Sequence, residues 1–488
     1  MRYLDKDLLT IHNALINSEV TSKELIEESI SKIEVINNDI NAFNYINKEV
    51  TDKEVTNNIL AGIPYALKDN ISTKNIPTTA CSDTLKNYVP IYNATSYAKL
   101  QEAGAIMIGK TNLDELAMGG TGTTGNTGVV HNPWNINHIC GGSSAGSAAS
   151  VASGIVPYAI GSDTGDSIRK PAAFCGVVGY KPSYGLISRY GLFAFASSLD
   201  HIGCFTRNVK DAALVTDVMK GYDEKDMTSI RDMDNVSLYN AIDGNVKGKK
   251  LFYIKEICDK NNYTNPDTIE VLKQFDETIK NVQNLGIEVT EESVDIELLN
   301  AIKPIYDSIS CAEATSNDSN LTGILFGPRG EGNNVMEIMK DHRTKGFSSL
   351  IKRRFVIGSF VLQKENQEKY FLNAKRVRRL IVEKFNQLFA KYDGLILPCS
   401  GSCAPLINEA SDKITRNDII LENHLAIGNF GGYPSITIPN GFIHDMPIGI
   451  NITGRFKDDA NILNIADSIE STMNYKNQIA KEKKDNEI

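Results

Sequence analysis

The sequence predicts an α/β protein in which the strands of a sheet alternate with helices. Between about residues 61 and 215, short apolar runs are bounded by Gly, Pro and Asn, as in GIPYAL at 62–67 and AIMIG at 105–109. Such runs are typical of strands. Segments with helical spacing and capping residues surround them, and strands that alternate with helices indicate an α/β sheet.

The first 60 residues predict a helical segment. In the run TSKELIEESISKIEVI, Thr21 and Glu24 form the pattern of a capping box, and isoleucines follow at helical spacing, at positions 26, 30, 33 and 36. Further along, Thr111 or Asn112 is placed to cap a helix that begins near Leu113.

The rest of the chain divides by its composition. Residues 216–345 are richer in charge and contain loop-like stretches, so we predict an insertion or cap that shapes the substrate pocket. After about residue 346, a long charged helix precedes two predicted strands, GLILP at 394–398 and SITIP at 435–439. A length of 488 residues fits one or two domains. We expect a single domain over 1–475 and a charged tail over 476–488. Within the domain we distinguish a helical segment at 1–60, a core at 61–215, the insertion at 216–345 and a return to the core at 346–475.

The charge and composition exclude several classes of function. A net charge of -9 offers no basic surface for phosphates, so any nucleic acid is expected to be held by a partner. The start of the chain, MRYLDKDLLT, lacks the apolar core of a signal peptide, and no apolar run approaches the ~20 residues that span a bilayer. We therefore expect a cytoplasmic protein that does not bind a membrane. The eight cysteines contain no C-x-x-C pair, which predicts reduced thiols and no metal site.

Two familiar motifs are present in unsuitable surroundings. GTGTTG at 120–125 fits the dinucleotide-binding pattern, but it follows LDELAM instead of a strand and lacks the acidic residue about 20 positions later. A flexible loop is the better interpretation. GSSAG at 142–146 fits the nucleophile elbow of α/β-hydrolases, with Ser144 as the serine, and histidines do follow it. However, the preceding run HNPWNINHIC is a poor candidate for the strand that leads into an elbow.

A different set of residues can perform catalysis without a histidine. Lys68 ends the apolar run IPYALK, where a lysine is usually a surface charge. If Lys68 is instead buried beside hydroxyls, desolvation lowers its pKa and leaves a neutral amine that accepts a proton. Ser143 follows two glycines that permit a tight turn, and Ser167 lies in a second Gly-containing turn. One amine and two hydroxyls in series form a Ser-Ser-Lys relay.

The stretch GSDTGDSIRK at 161–170 allows two roles for Ser167. Ser and Asp are preferred at helix N-caps, where their oxygens accept the unpaired backbone N–H groups of the first turn. Alternatively, Ser167 is a nucleophile, and the N–H groups of the turn, at Thr164, Gly165 and Asp166, hold the oxyanion of a tetrahedral intermediate.

Several stretches between residues 62 and 185 together resemble the amidase signature family. They are GIPYALKDN, AGAIMIGKTNLDELAMG, NPWN, GGSSAGSAASVASG and GSDTGDSIRKPAAFCGVVGYKPSYG, in this order. The resemblance implies a large mixed β-sheet flanked by helices on both faces, an α/β/α architecture. It also implies that Ser167 is the acylated nucleophile, that Ser143 relays a proton and follows a cis peptide bond, and that Lys68 is the base.

The similarity extends over nearly the whole chain and is greatest to family members that hydrolyse glutamine and pass ammonia to a partner. It implies that this chain needs no cofactor or metal and assembles with the B and C subunits of an amidotransferase. The partner would use ATP and magnesium to convert misacylated Glu-tRNA(Gln) to Gln-tRNA(Gln), and the acidic charge of this chain agrees with tRNA being held there. Whether the acceptor is instead an aspartyl-tRNA(Asn) stays open.

Glutamine needs a cation for its α-carboxylate and an acid for its α-amine. The resemblance assigns these roles to Arg353 or Arg354 in IKRRFVIGSF, with Tyr306 in PIYDSIS, and to Glu422 in LENHLAIGNFGGYP. For the two arginines, a solvated helical face is an alternative explanation.

The chain departs from the family in ways that bear on activity. Asp166 replaces a glycine directly before Ser167, and Lys170 replaces the usual glutamine. A carboxylate beside an oxyanion site opposes the developing charge unless it points away or pairs with a cation such as Arg169 or Lys170. Glu422 stands in place of an aspartate, and QKENQEKY at 363–370 lacks the usual tyrosines. A stand-alone amidase of another small amide and an amidotransferase component impaired by Asp166 are therefore the alternative functions.

Overall fold

A mixed sheet of eleven strands runs through the protein. The computed structural model describes residues 2–410 and 419–480, and within them the strands are β1 Phe43–Ile46, β2 Pro64–Lys68, β3 Ile106–Thr111, β4 His131–Asn132, β5 Asn135–Ile139, β6 Ala159–Asp163, β7 Val178–Lys181, β8 His201–Thr206, β9 Lys250–Ile254, β10 Glu288–Glu292, β11 Gly394–Pro398, β12 Ser435–Ile443 and β13 Met446–Thr453. The main sheet has the order β1-β3-β2-β6-β8-β7-β12-β13-β11-β9-β10, and β4 and β5 form a separate ribbon.

The helices of the same described residues range from single turns to five turns. They are α1 Leu8–Ile16, α2 Ser22–Ile40, α3 Thr95–Glu102, α4 Ala145–Ala152, α5 Arg169–Cys175, α6 Val209–Met219, α7 Lys255–Cys258, α8 Pro266–Asn284, α9 Ile296–Asn300, α10 Ile302–Asn317, α11 Val335–Gly346, α12 Ser349–Leu362, α13 Lys364–Gln367, α14 Asn373–Phe389, α15 Ile419–Asn423, α16 Ala426–Phe430 and α17 Asp459–Glu470. Short 3-10 turns lie at Tyr3–Asp5, Asp83–Leu85, Glu115–Ala117, Lys260–Asn262 and Asp318–Asn320, and a π-helical turn at Glu368–Leu372.

Helices cover both faces of the sheet, as the α/β/α prediction requires. Along β2, the side chains of Tyr65 and Leu67 lie in an apolar cluster with α1, α3, α6, α8 and α17. Ala66, between them, points to the opposite face and packs with α2, α4 and α5. Farther along the sheet, this second face is covered by α10, α12 and α14. Because both faces are buried, the strands carry apolar residues at successive positions instead of an apolar–polar alternation.

The strands that carry the site are neighbours and run in parallel. β2 pairs with β6, with Leu67 opposite Ile160, so the carboxyl ends of the two strands meet at one edge of the sheet. Ligands of open α/β sheets bind at such an edge. Lys68 ends β2, and the turn with Ser167 follows β6 directly, so the order of the strands brings these two residues together.

Several elements agree with the predictions made from the sequence, and two differ from them. The capping box of Thr21 and Glu24 is present on α2. The helix expected near Leu113 is only the 3-10 turn Glu115–Ala117, because Leu116 turns out of the helical conformation with a φ of 53°. The long charged helix after residue 346 is divided into α12, α13, a π-helical turn and α14.

The segment 216–345, predicted as an insertion or cap, contributes to the main sheet as well as covering the site. β9 pairs with β11 in parallel, and β10 pairs with β9 at the edge. The five residues of β10 are partly buried or exposed. Their sequence, EVTEE, has no apolar run that would indicate a strand. From the same segment, α10 packs on α12 near the site. Residues 481–488 of the predicted charged tail lie outside the described residues.

Candidate active site

Lys68 is a fully buried amine surrounded by three serines. Its Nζ lies 2.7 Å from Ser143 Oγ, 2.8 Å from Ser144 Oγ and 2.9 Å from Ser162 Oγ. Burial disfavours the charged ammonium and lowers the pKa of Lys68 to about 7, although nearby carboxylates, with Asp114 the strongest, oppose this change. An amine with a pKa near neutrality is suited to accept a proton at physiological pH.

Ser143 lies in a glycine-rich turn that is held from both sides. The Gly142–Ser143 peptide bond is cis, in agreement with the resemblance. The Ser143 carbonyl accepts a 3.2 Å hydrogen bond from the N–H of Asp114, and the N–H of Ser144 donates a 3.2 Å hydrogen bond to the carbonyl of Ser167. These bonds fix the relay serine between Lys68 and the second turn.

Ser167 does not cap a helix. α5 begins at Arg169, and its N-cap residue is Ile168, whose N–H donates to Asp163 Oδ2 over 2.9 Å. The Ser167 hydroxyl, in a side chain that is 4% exposed, makes no hydrogen bond to another described residue, including Ser143. Catalytic hydrogen bonds often form only when substrate is bound, so the lack of this contact is compatible with Ser167 as a nucleophile.

The turn before Ser167 presents backbone donors. No acceptor among residues 2–410 and 419–480 takes a hydrogen bond from the N–H of Thr164, Gly165 or Asp166. The turn is nevertheless held in place, because Arg169 donates to the Gly165 carbonyl over 2.7 Å and Thr164 Oγ1 donates to Asp200 over 2.6 Å. Unpaired N–H groups on a rigid turn are the donors that an oxyanion hole needs.

Arg169 is among the largest fully buried side chains of the described residues. Its guanidinium forms a two-point ion pair with Asp163, at 2.9 and 3.1 Å, and also donates to Leu425 and Asn429. Burial alone would raise the pKa of Asp163, but the charge and hydrogen bonds of Arg169 hold that pKa well below its usual range. The ion pair fixes both ends of the turn that contains Ser167.

Asp166 pairs with Lys170 instead of facing the oxyanion site unopposed. Lys170 Nζ lies 3.2 Å from Asp166 Oδ2 and 3.0 Å from Glu422 Oε2. Burial raises the pKa of Asp166, and Lys170 limits that rise. For Glu422, burial is outweighed by Lys170 and by a 2.8 Å hydrogen bond from the Gly401 N–H, so its pKa is lowered. Both carboxylates are therefore held in ion pairs.

Tyr306 and Arg354 approach the same turn from α10 and α12. A Cβ on Gly165 would come within 2.9 Å of the Tyr306 ring, so the ring packs directly against the turn. Burial raises the pKa of Tyr306, and the positive charge of Arg354 opposes the rise. Arg354 also lies over the Phe195 ring, 5.4 Å from its centroid. Arg353 is exposed, so the structure brings Arg354 and not Arg353 to the site.

The two rejected motifs have structural roles. The loop of GTGTTG wraps around Asp114, whose carboxylate accepts the N–H groups of residues 121, 122, 123 and 124. HNPWNINHIC forms the ribbon of β4 and β5, which is separate from the main sheet, so it does not supply the sheet strand that leads into an elbow. The Ser144 hydroxyl donates to the Ser162 carbonyl and contacts Lys68. No histidine contacts it in the described part of the chain, so Ser144 is not an elbow serine.

Several residues of the site were not predicted from the sequence. Ser162 and Asp163 end β6, and their position at a strand end before the Ser167 turn was the available signal. Arg169 was considered only as a possible partner of Asp166, and its pairing with Asp163 was missed, because a buried arginine and a solvated one look alike in sequence. The described residues contain no group of three or more His, Cys, Asp or Glu side chains that would hold a metal ion. Their helices include none with the length and apolar character needed to cross a bilayer.

The mixed eleven-stranded sheet, with a lysine and two glycine-rich serine turns at one edge, is the arrangement of an amidase signature enzyme. The profile of the family described as Amidase matches residues 24–463, and the chain belongs to this family.

Particular relatives are similar over almost their full length. The chain is 40% identical to the A subunit of the glutamyl-tRNA(Gln) amidotransferase of Pseudothermotoga lettingae, over 93% of this chain and 94% of the relative. It is also 40% identical to the protein of the same name from Halothermothrix orenii, over 96% and 98% of the two chains. The crystal structure of the corresponding Thermotoga maritima protein matches with a TM-score of 0.79 and 35% identity, over 94% of each chain.

Proposed function

We propose that this chain is the glutamine-hydrolysing subunit of a tRNA-dependent amidotransferase. The observation that carries the proposal is the contact of the buried Lys68 amine with Ser143, beside a turn that offers unpaired N–H groups and Ser167. The names of the relatives support the choice of substrate, because the A subunits of glutamyl-tRNA(Gln) amidotransferases are similar to this chain from end to end.

The reaction proceeds through a covalent intermediate. Neutral Lys68 accepts a proton from Ser143, Ser143 accepts one from Ser167, and Ser167 Oγ forms a bond to the side-chain amide carbon of glutamine. The N–H groups of Thr164, Gly165 and Asp166 stabilise the oxyanion. The proton then returns to the leaving nitrogen, the C–N bond breaks, and ammonia departs. Water attacks the acyl-enzyme by the same relay and releases glutamate, so that two easier steps replace one difficult step.

Glutamine binds with its amino-acid end away from Ser167. Arg354 supplies the cation for the α-carboxylate, with the Tyr306 hydroxyl beside it, and Glu422 supplies the acid for the α-amine. This arrangement is supported by the contacts of Tyr306 with Gly165 and by the position of Glu422 next to the same turn through Lys170. The side-chain amide then points towards Ser167.

The proposal includes partners that complete the reaction. The B and C subunits of the amidotransferase assemble with this chain, and a partner holds the misacylated tRNA and uses ATP and magnesium to activate it. The net charge of -9 supports tRNA binding outside this chain, because a protein that neutralises phosphates by itself needs a basic surface.

Mass spectrometry after reaction with an electrophilic glutamine analogue tests the proposal. We expect one covalent adduct, located on Ser167, and loss of both the adduct and glutamine-dependent ammonia release in Ser167→Ala. Ser31→Ala, a change of an exposed serine on α2, is the control and should label normally. A label on Ser144, or full ammonia release by Ser167→Ala, would contradict the mechanism. Hydrolysis of other small amides without any of glutamine would favour the stand-alone amidase.

A further inference from the structure

We propose that Lys170 is a positioning residue that keeps the Ser167 turn active in the presence of Asp166 and at the same time orients Glu422 for the substrate amine. The second part rests on the proposed function, since it assigns the amine of glutamine to Glu422. The first part requires only that Ser167 is an acylated nucleophile.

Asp166 creates an electrostatic problem at the site. It directly precedes Ser167 and belongs to the turn whose N–H groups face the oxyanion. A negative carboxylate here opposes the negative charge that develops on the oxyanion, because like charges close together in a poorly hydrated site repel strongly. Lys170, in the first turn of α5, compensates the charge of Asp166. The Lys170 N–H donates to the Asp166 carbonyl over 2.9 Å, so the two residues are one helical turn apart and their side chains meet on one face.

The ammonium of Lys170 lies close to three oxygen atoms. It donates hydrogen bonds to Glu422 Oε2 and to the Glu422 carbonyl oxygen, both at 3.0 Å, and forms an ion pair with Asp166 Oδ2 at 3.2 Å. Its side chain is only 12% exposed, compared with 25% for Asp166 and 35% for Glu422. Lys170 is thus a cation that is shielded from water between two more accessible carboxylates. Because water screens its charge only weakly, that charge acts strongly on both carboxylates.

Lys170 also restricts the orientation of Glu422. One carboxylate oxygen accepts from Lys170, and the other accepts from the Gly401 N–H over 2.8 Å. Each carboxylate oxygen has two lone-pair positions, so both oxygens keep one position for a further donor. A substrate ammonium can therefore bind to a carboxylate that is already oriented.

The two roles predict different kinetic effects. Lys170→Met removes both the charge and the hydrogen bonds, while Lys170→Gln removes the charge but keeps an amide that can reach Glu422. We expect Lys170→Gln to lower kcat at least about tenfold, a smaller effect than the loss of an oxyanion donor, and to change KM little. Lys170→Met should lower kcat to a similar extent and also raise KM. Adding Asp166→Asn to Lys170→Gln removes the repulsion and should restore kcat to within about threefold of the wild-type protein, an allowance for context-dependent effects.

The measurement is glutamine-dependent ammonia release by the full chain in complex with its partner subunits, with kcat and KM determined for each variant. The control is Lys303→Gln on α10, the helix that carries Tyr306. Lys303 forms a similar, partly buried ion pair with Asp307, one helical turn away, and the substitution removes the cation of that pair. It should leave kcat and KM unchanged. Thermal unfolding of each variant separates a loss of fold from a loss of activity. If the double variant Asp166→Asn/Lys170→Gln is no faster than Lys170→Gln, the charge role is wrong.

A second measurement does not depend on glutamine. A fluorophosphonate reacts with an activated serine by forming a Ser167 Oγ–P bond and releasing fluoride, while the serine proton passes to Ser143 and Lys68. We expect labelling to slow at least about tenfold in Lys170→Gln and to recover in the double variant. If labelling slows in Lys170→Gln and recovers in the double variant, but the wild-type protein releases no ammonia from glutamine, the proposed function is wrong and the role of Lys170 at the turn is supported. Equal labelling of wild-type and Lys170→Gln proteins would overturn that role.

Discussion

The backbone N–H of Ser144 donates a hydrogen bond to the carbonyl oxygen of Ser167, 3.2 Å away, and this bond joins the two glycine-rich turns of the site. The first turn is fixed against Lys68 through Ser143. The second is fixed by the ion pair of Arg169 with Asp163. The relative positions of Lys68, Ser143 and Ser167 therefore depend on backbone contacts between the two turns as well as on side-chain contacts.

The activity should depend on the protonation state of Lys68. Only the neutral amine accepts a proton, and burial lowers the pKa of Lys68 to about 7. We expect kcat/KM for ammonia release to rise about tenfold per pH unit below 7 and to become constant above it, as for a single essential base. Lys68→Arg should be inactive at every pH, since a guanidinium stays protonated. A rate that does not change between about pH 6 and 8 would show that Lys68 is not the base.

The main features of the fold follow from local sequence. GIPYAL and AIMIG predict β2 and β3 because buried parallel strands need continuous apolar runs, and β2 and β3 are neighbours in the sheet. β10 was not predicted because an edge strand needs no such run. Its residues, EVTEE, are partly exposed and look like a charged loop. The sequence therefore predicts the centre of the sheet better than its edge.

The candidate site was only partly predictable. Lys68, Ser143 and Ser167 were found because motifs and a family resemblance mark them. The buried state of Lys68, on which its chemistry depends, comes from strand order and from the packing of Ser144 and Ser162 around it. The sequence also did not distinguish Arg353 from Arg354, because tertiary packing decides which of two adjacent helical side chains faces the site.

Arg354 should bind substrate, and Arg353 should not. Arg354 is partly buried and lies over the Phe195 ring, and its charge opposes the rise in the pKa of Tyr306, whereas Arg353 is exposed. Arg354→Lys keeps the charge but loses the planar fork that matches a carboxylate, so we expect KM for glutamine to increase about tenfold or more, with a smaller effect on kcat. Arg353→Lys is the matched control with unchanged KM. The reverse result, a higher KM only in Arg353→Lys, would assign the carboxylate to the other arginine.

Arg169 should contribute strongly to stability. Arg169→Met leaves Asp163 as a buried carboxylate without its main partner, and the loss of one member of a buried pair costs about 3–5 kcal/mol in the free energy of unfolding. Urea denaturation measures the change. Adding Asp163→Asn should recover part of the loss, because the unpaired charge is removed as well. Arg379→Met, which breaks the exposed pair with Glu383, is the control and should leave the midpoint nearly unchanged. Equal effects of Arg169→Met and Arg379→Met would show that the buried pair is not structurally important.

Gly142 should tolerate no side chain. A Cβ at this position would lie 1.9 Å from Asp114 Oδ2 and 2.9 Å from the backbone nitrogen of Gly122. Asp114 cannot move away easily, because its carboxylate accepts the N–H groups of the loop at residues 121–124. We expect Gly142→Ala to lower the urea midpoint and to abolish labelling of Ser167, since the displaced turn also carries Ser143. Gly120→Ala is the matched control, because a Cβ there meets no atom within 4 Å. Normal labelling of Gly142→Ala would mean that this turn can shift without loss of the relay.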